Sequence, residues 1–173
     1  MPSLRFAIFV VPVIFVLALF AGCSDESAPA KKPDAEPALK PKKADLPELP
    51  DGAGEMDADA PRELTPTKSG LYYRILRKSD GPKPTRADTV VANYKGWLDD
   101  GQQFDSSYDG HKPIELPLSR FVRGWTEGLQ LIGQGGMIEL EVPYELGYGF
   151  QGRPPKIPPF ATLHFIVELV EVK

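Results

Sequence analysis

The chain has 173 residues, of which 42% are hydrophobic, and a formal net charge of −4 at pH 7. Residues 24–63 contain 11 acidic and 6 basic residues, whereas residues 64–173 contain 13 of each. The C-terminal part is therefore electrically neutral, which argues against nucleic acid as its partner, because nucleic-acid binding needs a basic surface. The single cysteine, Cys23, excludes a disulfide framework.

An apolar run of 16 residues, Phe6–Ala21, follows one positive charge at Arg5. A membrane-spanning helix needs roughly 20 apolar residues, so the run is short for a span and is typical of the hydrophobic region of a secretory signal peptide. We therefore interpret residues 1–22 as a signal peptide that directs the protein out of the cytoplasm.

The end of this run resembles a bacterial lipobox, where a signal peptide is cut before a cysteine that then receives lipid. The small residues Ala21 and Gly22 precede Cys23, although Phe20 stands where lipoboxes usually have leucine. The resemblance implies a lipid-anchored protein of the cell envelope that faces the periplasm, and Ser24 favours the outer membrane. An uncleaved signal anchor and a secreted protein with an unrelated cysteine are the alternatives.

Residues 23–63 are rich in proline, alanine, lysine and acidic residues, and no aromatic residue occurs between Phe20 and Tyr72. Low hydrophobicity and a high density of charge leave too little apolar surface to offset the chain entropy. Recurring prolines favour extended backbone and a semi-rigid spacer. We expect a disordered tether that holds a folded domain, residues 64–173, away from the membrane.

Three segments of the domain have the composition of β-strands. Residues 71–76 and 89–98 are rich in aromatic and β-branched residues and are followed by the turn sequences "SDGPKP" and "DDG". Residues 161–172 are apolar in both phases of a two-residue repeat, which predicts a central or closing strand.

The sequence "GGMIELEVP" alternates in character. Ile138, Leu140 and Val142 fall on one side of an extended chain, and Glu139 and Glu141 fall on the other. This pattern predicts a half-buried antiparallel strand with its glutamates in solvent.

One helix is predicted in "RFVRGWTEGLQLIGQGG". Val122, Trp125, Leu129 and Ile132 recur at spacings of three and four residues, which places them on one helical face. The glycines that follow end the helix. Since the helix is short and contains Gly128, we expect packing against a sheet to stabilise it. One helix on an antiparallel sheet is an α+β arrangement.

No arrangement of residues supports hydrolytic, metal or phosphate chemistry. Ser106 and Ser107 could supply a nucleophile, but His111 and His164 are the only histidines and no G-x-S-x-G sequence occurs. The histidines and the cysteine lack metal-ligand spacing, and "GQGG" lacks the residues of a phosphate-binding loop. The two serines are expected to shape the turn after Asp105.

Four blocks occur in order in the domain: "VVANYKGWLDDGQQFDSSYDGHKPIELPL", "FVRGWTEGLQLIGQGG", "VPYELGYG" and "IPPFATLHFIVELVEV". Together they resemble the FKBP-type peptidyl-prolyl cis-trans isomerases, and "TKSGLYYRIL" is similar to the macrophage-infectivity-potentiator branch of that family. The resemblance covers residues 64–173. It implies an α+β fold in which a curved antiparallel sheet wraps around one short helix, in agreement with the strand and helix patterns.

The site of the family is an apolar pocket between helix and sheet. By motif, the resemblance implies six catalytic residues, Tyr94, Phe104, Asp105, Val122, Trp125 and Tyr148, and three substrate-binding residues, Phe121, Ile157 and Phe165. Trp125 would form the floor, Asp105 would orient a substrate amide, and Val122 and Tyr148 would offer a backbone N–H and a hydroxyl. Ordinary core packing is the alternative role for each aromatic residue taken singly.

The chain departs from the family pattern near two of these residues. Many eukaryotic members have an arginine shortly after "FDSS" that pairs with the aspartate, but the corresponding "YDGHK" contains none, which leaves the partner of Asp105 open. Arg153 and Lys156 lie in a loop that is less charged in several relatives. Substrate preference and macrolide affinity therefore do not follow from the motifs.

The resemblance implies an isomerase that assists the folding of exported proteins by acting on X–Pro segments, without a cofactor or a metal. A proline-peptide binding module or chaperone without turnover is the alternative. Macrolide inhibitors are a further ligand class of the family. Because the proline-rich residues 23–63 offer no dimerisation helix, we expect a monomer.

Overall fold

The computed structural model describes residues 40–110 and 112–173. The predicted signal peptide, Cys23, the first part of the predicted tether and His111 lie outside these residues. The described part contains eight strands and helix α1 (Arg123–Gly128). The strands are β1 (Lys42–Lys43), β2 (Glu63–Pro66), β3 (Tyr72–Arg77), β4 (Thr89–Leu98), β5 (Gln103–Ser106), β6 (Ile114–Pro117), β7 (Met137–Val142) and β8 (Leu163–Val172). None of its helices has the length and hydropathy of a membrane span.

The strands form one antiparallel sheet in the order β1-β2-β3-β7-β8-β4-β5, and β6 pairs with the first half of β4. Strand β8 lies between β7 and β4, as its apolar pattern predicts, and Leu163 and residues 165–169 are buried. The predicted α+β arrangement, a short helix on an antiparallel sheet, is confirmed.

Helix α1 is shorter than the predicted helical face, because the chain tightens into a 3₁₀ turn at Leu129–Leu131. No side-chain hydrogen bond caps its N-terminus, so packing supplies its stability. A Cβ atom at Gly124 would lie 2.5 Å from Val142, and one at Gly128 would lie 2.6 Å from Leu140. The two glycines therefore let the helix backbone approach β7 closely.

Residues 40–63 do not follow the expectation of a disordered tether, because they pack on the face of the sheet opposite α1. On β8, Phe165 and Val167 belong to the main core, whereas Ile166 points to the other face. There Ile166 joins a second apolar cluster with Leu76 and Met137. Four partly buried side chains pack against this cluster: Leu46, Leu49, Met56 and Trp97.

Polar contacts also fasten this segment to the sheet. Arg74 is 2% exposed, pairs with Glu139 on β7, and donates to the carbonyl oxygens of Ala44, at 2.9 Å, and Asp45. Glu168 accepts hydrogen bonds from the backbone N–H of Gly54 at 2.9 Å, from Arg77 and from Tyr108. Residues 42–63 therefore belong to the folded part of the described chain.

The prediction that Glu139 lies in solvent is wrong. The alternation along β7 is as predicted, but Glu139 is 7% exposed because residues 44–56 cover the face to which it points. Burial raises the pKa of the Glu139 carboxyl, and the Arg74 guanidinium opposes that rise.

We predict that a chain starting at Leu64 is less stable than one starting at residue 40. Removal of residues 40–63 exposes the second apolar cluster and deprives Arg74 of its two carbonyl acceptors. The free energy of unfolding, measured by urea denaturation, should fall by about 3 kcal/mol.

Limited proteolysis of the full chain provides an independent check, because residues 42–63 are expected to remain in the protected fragment. Equal stability of the two chains, together with trimming to residue 64, would contradict the packing of this segment.

Candidate active site

A cavity of about 640 Å³ opens beside α1. All nine residues that the resemblance implies line it: Tyr94, Phe104, Asp105, Phe121, Val122, Trp125, Tyr148, Ile157 and Phe165. Seven further residues complete the lining: Ile114, Leu116, Arg120, Arg153, Pro154, Pro155 and Lys156. The sheet, the helix and two loops thus contribute to one largely apolar enclosure.

Trp125 forms the floor of the cavity and is 2% exposed. Phe121 stacks on its ring with centroids 4.8 Å apart, and Tyr94 and Phe165 meet it edge-on, each at 5.3 Å. Edge-on and offset aromatic contacts are favourable and directional. The indole Nε1 is buried and has no hydrogen-bond partner among the described residues. The floor is therefore an interlocked aromatic surface.

The wall beside this floor depends on a close approach at Gly96. Phe104 and Phe165 meet edge-on with ring centroids 5.6 Å apart. A Cβ atom at Gly96 would lie 2.6 Å from Cζ of Phe104 and 2.9 Å from Cε1 of Phe165. A glycine in β4 thus provides the space that these two rings occupy.

Asp105 has a partner that the sequence did not reveal. The Tyr94 hydroxyl donates to Oδ2 of Asp105 at 2.6 Å, and the backbone N–H of Ser106 donates to Oδ1 at 3.0 Å. Burial, and then the hydrogen bond to Asp105, raise the pKa of Tyr94 well above its ordinary value. The phenol therefore remains protonated at neutral pH and fixes the carboxylate of Asp105.

The two serines after Asp105 shape the following turn, as predicted, because their hydroxyls accept hydrogen bonds from backbone N–H groups. Ser107 Oγ accepts from the N–H of Tyr94 at 2.9 Å and lies 3.1 Å from Oδ1 of Asn93. Ser106 Oγ accepts from the N–H of Tyr108 at 3.1 Å. Both serines are buried, and these contacts connect β4 to the turn that follows β5.

A short loop closes one side of the cavity mouth. The backbones of Arg153 and Ile157 exchange two hydrogen bonds of 2.8 and 3.1 Å. Arg153 donates to the hydroxyl of Tyr148 at 3.2 Å, and Lys156 donates to the carbonyl oxygen of Phe104 at 2.8 Å. The loop therefore connects the Tyr148 side of the mouth to β5.

Val122 directly precedes α1 and is one of the residues that line the cavity. Its carbonyl oxygen accepts from Trp125 and Thr126, at 3.0 and 3.1 Å. Its N–H donates to no acceptor among the described residues. That N–H is thus available to a ligand.

Comparison with known proteins identifies the family. A family model described as FKBP-type peptidyl-prolyl cis-trans isomerase matches residues 81–170, more than half of the chain. The chain belongs to this family. The FKBP-type isomerase FkpA of Escherichia coli K12 is 48% identical over 107 residues, which are 62% of this chain and 39% of that protein. The Mip isomerase of Coxiella burnetii is 42% identical over 105 residues, 61% of this chain and 46% of that protein.

Solved structures support the same assignment. The crystal structure of FkpA from Escherichia coli matches with a TM-score of 0.62 and 46% identity, covering 64% of this chain and 51% of that one. The structure of AtFKBP13 matches with a TM-score of 0.59 and 31% identity, covering 64% of this chain and 99% of that one. This chain spans less than half the length of the FkpA and Mip relatives.

The motifs did not indicate every lining residue. Ile114 and Leu116 lie two positions apart on β6, so the alternation in "IELPL" could have shown that they share a face. Arg153 and Lys156 stood out by charge, but their place at the mouth depends on the fold of the loop. No motif or spacing in the sequence indicated that Arg120 lines the cavity.

We predict that Gly96→Ala destabilises the protein by about 2 kcal/mol, because the new methyl group overpacks the wall. The free energy of unfolding from urea denaturation measures this loss. In the double variant with Phe104→Leu, which removes part of the clash, the total loss should be smaller than the sum of the two single losses. Strict additivity, or no effect of Gly96→Ala, would contradict the close approach.

Proposed function

We propose that the protein is a peptidyl-prolyl cis-trans isomerase that binds X–Pro segments of polypeptides in this cavity. The observation that supports the proposal best is the aromatic floor around Trp125 beside a single fixed carboxylate, Asp105. Such a site can hold an apolar ring and orient an amide.

The reaction needs no bond to a protein group. Rotation about an X–Pro bond is slow because the partial double bond gives a barrier of roughly 20 kcal/mol. The twisted amide has lost conjugation and is less polar than the planar one. An apolar cavity therefore favours the twisted form, and this preferential binding of the transition state accelerates rotation.

Three polar groups would orient the segment. The free N–H of Val122 would donate to a carbonyl oxygen of the substrate. The Tyr148 hydroxyl accepts from Arg153, which leaves its own proton available to the substrate. The carboxylate of Asp105, which accepts a hydrogen bond from Tyr94, would orient the substrate amide from the cavity wall. The proposed mechanism uses no cofactor.

A proline-peptide binding module without turnover is a second candidate. The matching family model and relatives are isomerases by description and do not favour it. Turnover separates the two candidates, since a binding module would titrate with proline peptides without accelerating their isomerisation.

We predict that the chain accelerates isomerisation of a prolyl peptide in a protease-coupled assay, and that Asp105→Leu lowers kcat/KM by about 10- to 100-fold. Loss of one orienting polar contact is worth roughly 1–3 kcal/mol. Asp109→Leu is the matched control, because Asp109 bonds Gln103 and does not line the cavity.

Absence of turnover by the wild-type protein would reject the proposed isomerase activity. Complete loss of activity in a folded Asp105→Leu variant, verified by circular dichroism, would instead indicate acid–base chemistry at this residue.

We also propose that the protein is lipid-anchored through Cys23 in the cell envelope, faces the periplasm, with the outer membrane favoured, and assists the folding of exported proteins. The support is the sequence: a short apolar run ends in small residues directly before the single cysteine. Polypeptides that emerge unfolded outside the cytoplasm would expose X–Pro bonds to the cavity.

We predict that Cys23→Ala moves the full-length protein from the detergent phase to the aqueous phase on detergent phase partitioning, because it removes the site of lipid attachment. Ser24→Ala, which keeps the cysteine, is the matched control and should partition like the wild type. Equal partitioning of the wild type and Cys23→Ala would favour an uncleaved signal anchor.

A further inference from the structure

The mouth of the cavity has an excess of positive charge. Arg120, Arg153 and Lys156 line it and are exposed, whereas Asp105 is the one carboxylate among the described lining residues. The domain as a whole is neutral, so this local excess is not a consequence of its overall composition.

The three cations are not neutralised within the described part of the chain. Arg153 and Lys156 each donate to an uncharged oxygen, the Tyr148 hydroxyl and the Phe104 carbonyl. The Arg120 side chain forms no hydrogen bond or ion pair with another described residue. A guanidinium has five N–H donors and an ammonium three, so most of their donors remain available.

The one nearby carboxylate is already engaged. Both oxygens of Asp105 accept hydrogen bonds, from the Tyr94 hydroxyl and the Ser106 N–H. Asp105 forms no ion pair with Arg153 among the described contacts, in which Arg153 bonds the Tyr148 hydroxyl. An incoming carboxylate would therefore find the cations available.

The positions of two of the cations are fixed by the fold. The paired backbones of Arg153 and Ile157 close the loop, and the N–H of Phe160 donates to the carbonyl oxygen of Gly149 at 3.1 Å. Arg120 ends the 3₁₀ turn Leu118–Arg120, which leads into the start of α1. The charges therefore surround the entrance instead of lying on a separate surface.

We propose that the site prefers X–Pro segments with an acidic residue within two positions of the proline. The inference rests on the proposed function and names the substrate class of the same site. Exposed ion pairs are individually weak, but several cations around one entrance favour both the approach and the binding of an anion. Because the charges are exposed, the preference should weaken with salt.

The test compares prolyl peptides that differ by Glu or Gln at one position, directly before the proline or two positions after it. Exchange NMR measures kcat/KM without a coupling protease, whose own specificity would interfere. We expect the Glu peptide of at least one pair to exceed its Gln partner by about 3- to 10-fold at about 20 mM salt, and by less than about twofold at about 500 mM salt.

Substitution of the three cations at the cavity mouth tests whether they cause the preference for Glu peptides. The Glu-to-Gln ratio should approach one in the triple variant Arg120→Gln, Arg153→Gln and Lys156→Gln. Lys43→Gln removes one positive charge from β1, at the far end of the sheet order, and is the charge-matched control for Arg120→Gln; it should retain the wild-type ratio. Arg120→Gln alone removes a charge without removing a hydrogen bond, so a lowered ratio is expected even if the triple variant does not fold.

Equal kcat/KM for the Glu and Gln peptides at low salt, or a ratio unchanged by Arg120→Gln and the triple variant, would overturn the inference and leave the isomerase intact. Failure to isomerise any peptide would reject the proposed function. In that case, the dissociation constants of the same peptides from NMR titration decide the inference: tighter Glu binding supports it, and equal binding overturns it.

Discussion

The close contact between α1 and β7 is the constraint on which the cavity depends. The helix has only six residues and no side-chain cap, so it would not be stable in isolation. Gly124 and Gly128 allow its backbone to lie directly on Val142 and Leu140. This contact fixes Trp125, and the rings of neighbouring elements then pack around the indole. The site is consequently a product of packing between distant segments.

The two faces of the sheet pack against different parts of the chain. One face packs against α1 and leaves room for the cavity, while the other is closed by residues 44–56 and by the buried pair of Arg74 and Glu139. Breaking a buried ion pair by removing one partner is costly, because the remaining charge stays without compensation. The covered face thus stabilises the sheet without using any residue that lines the cavity.

The sequence predicted the features that arise from local pattern. The bounds of β4 agree with the predicted 89–98, and the apolar run of β8 correctly indicated a central strand. The nine pocket residues came from resemblance to a family, and the structure brings them around one cavity.

The features that escaped prediction depend on partners far away in the chain. Residues 40–63 have the composition of a disordered tether, but two of their backbone carbonyls bind Arg74, and composition gives no sign of such acceptors. Alternation placed Glu139 on the correct face without showing that this face is covered. The partner of Asp105 is Tyr94, eleven residues away on a neighbouring strand, where no charged residue marked it.

In the proposed mechanism, the cavity accelerates rotation by binding a twisted amide, and no proton is transferred. Tyr94 has a raised pKa and stays neutral, and no histidine is among the described lining residues. The direct measurement is kcat/KM for a prolyl peptide between about pH 6 and 8, in H₂O and in D₂O. We expect a flat profile and a solvent isotope effect near one, whereas a bell-shaped profile with a large isotope effect would show that proton transfer takes part in the reaction.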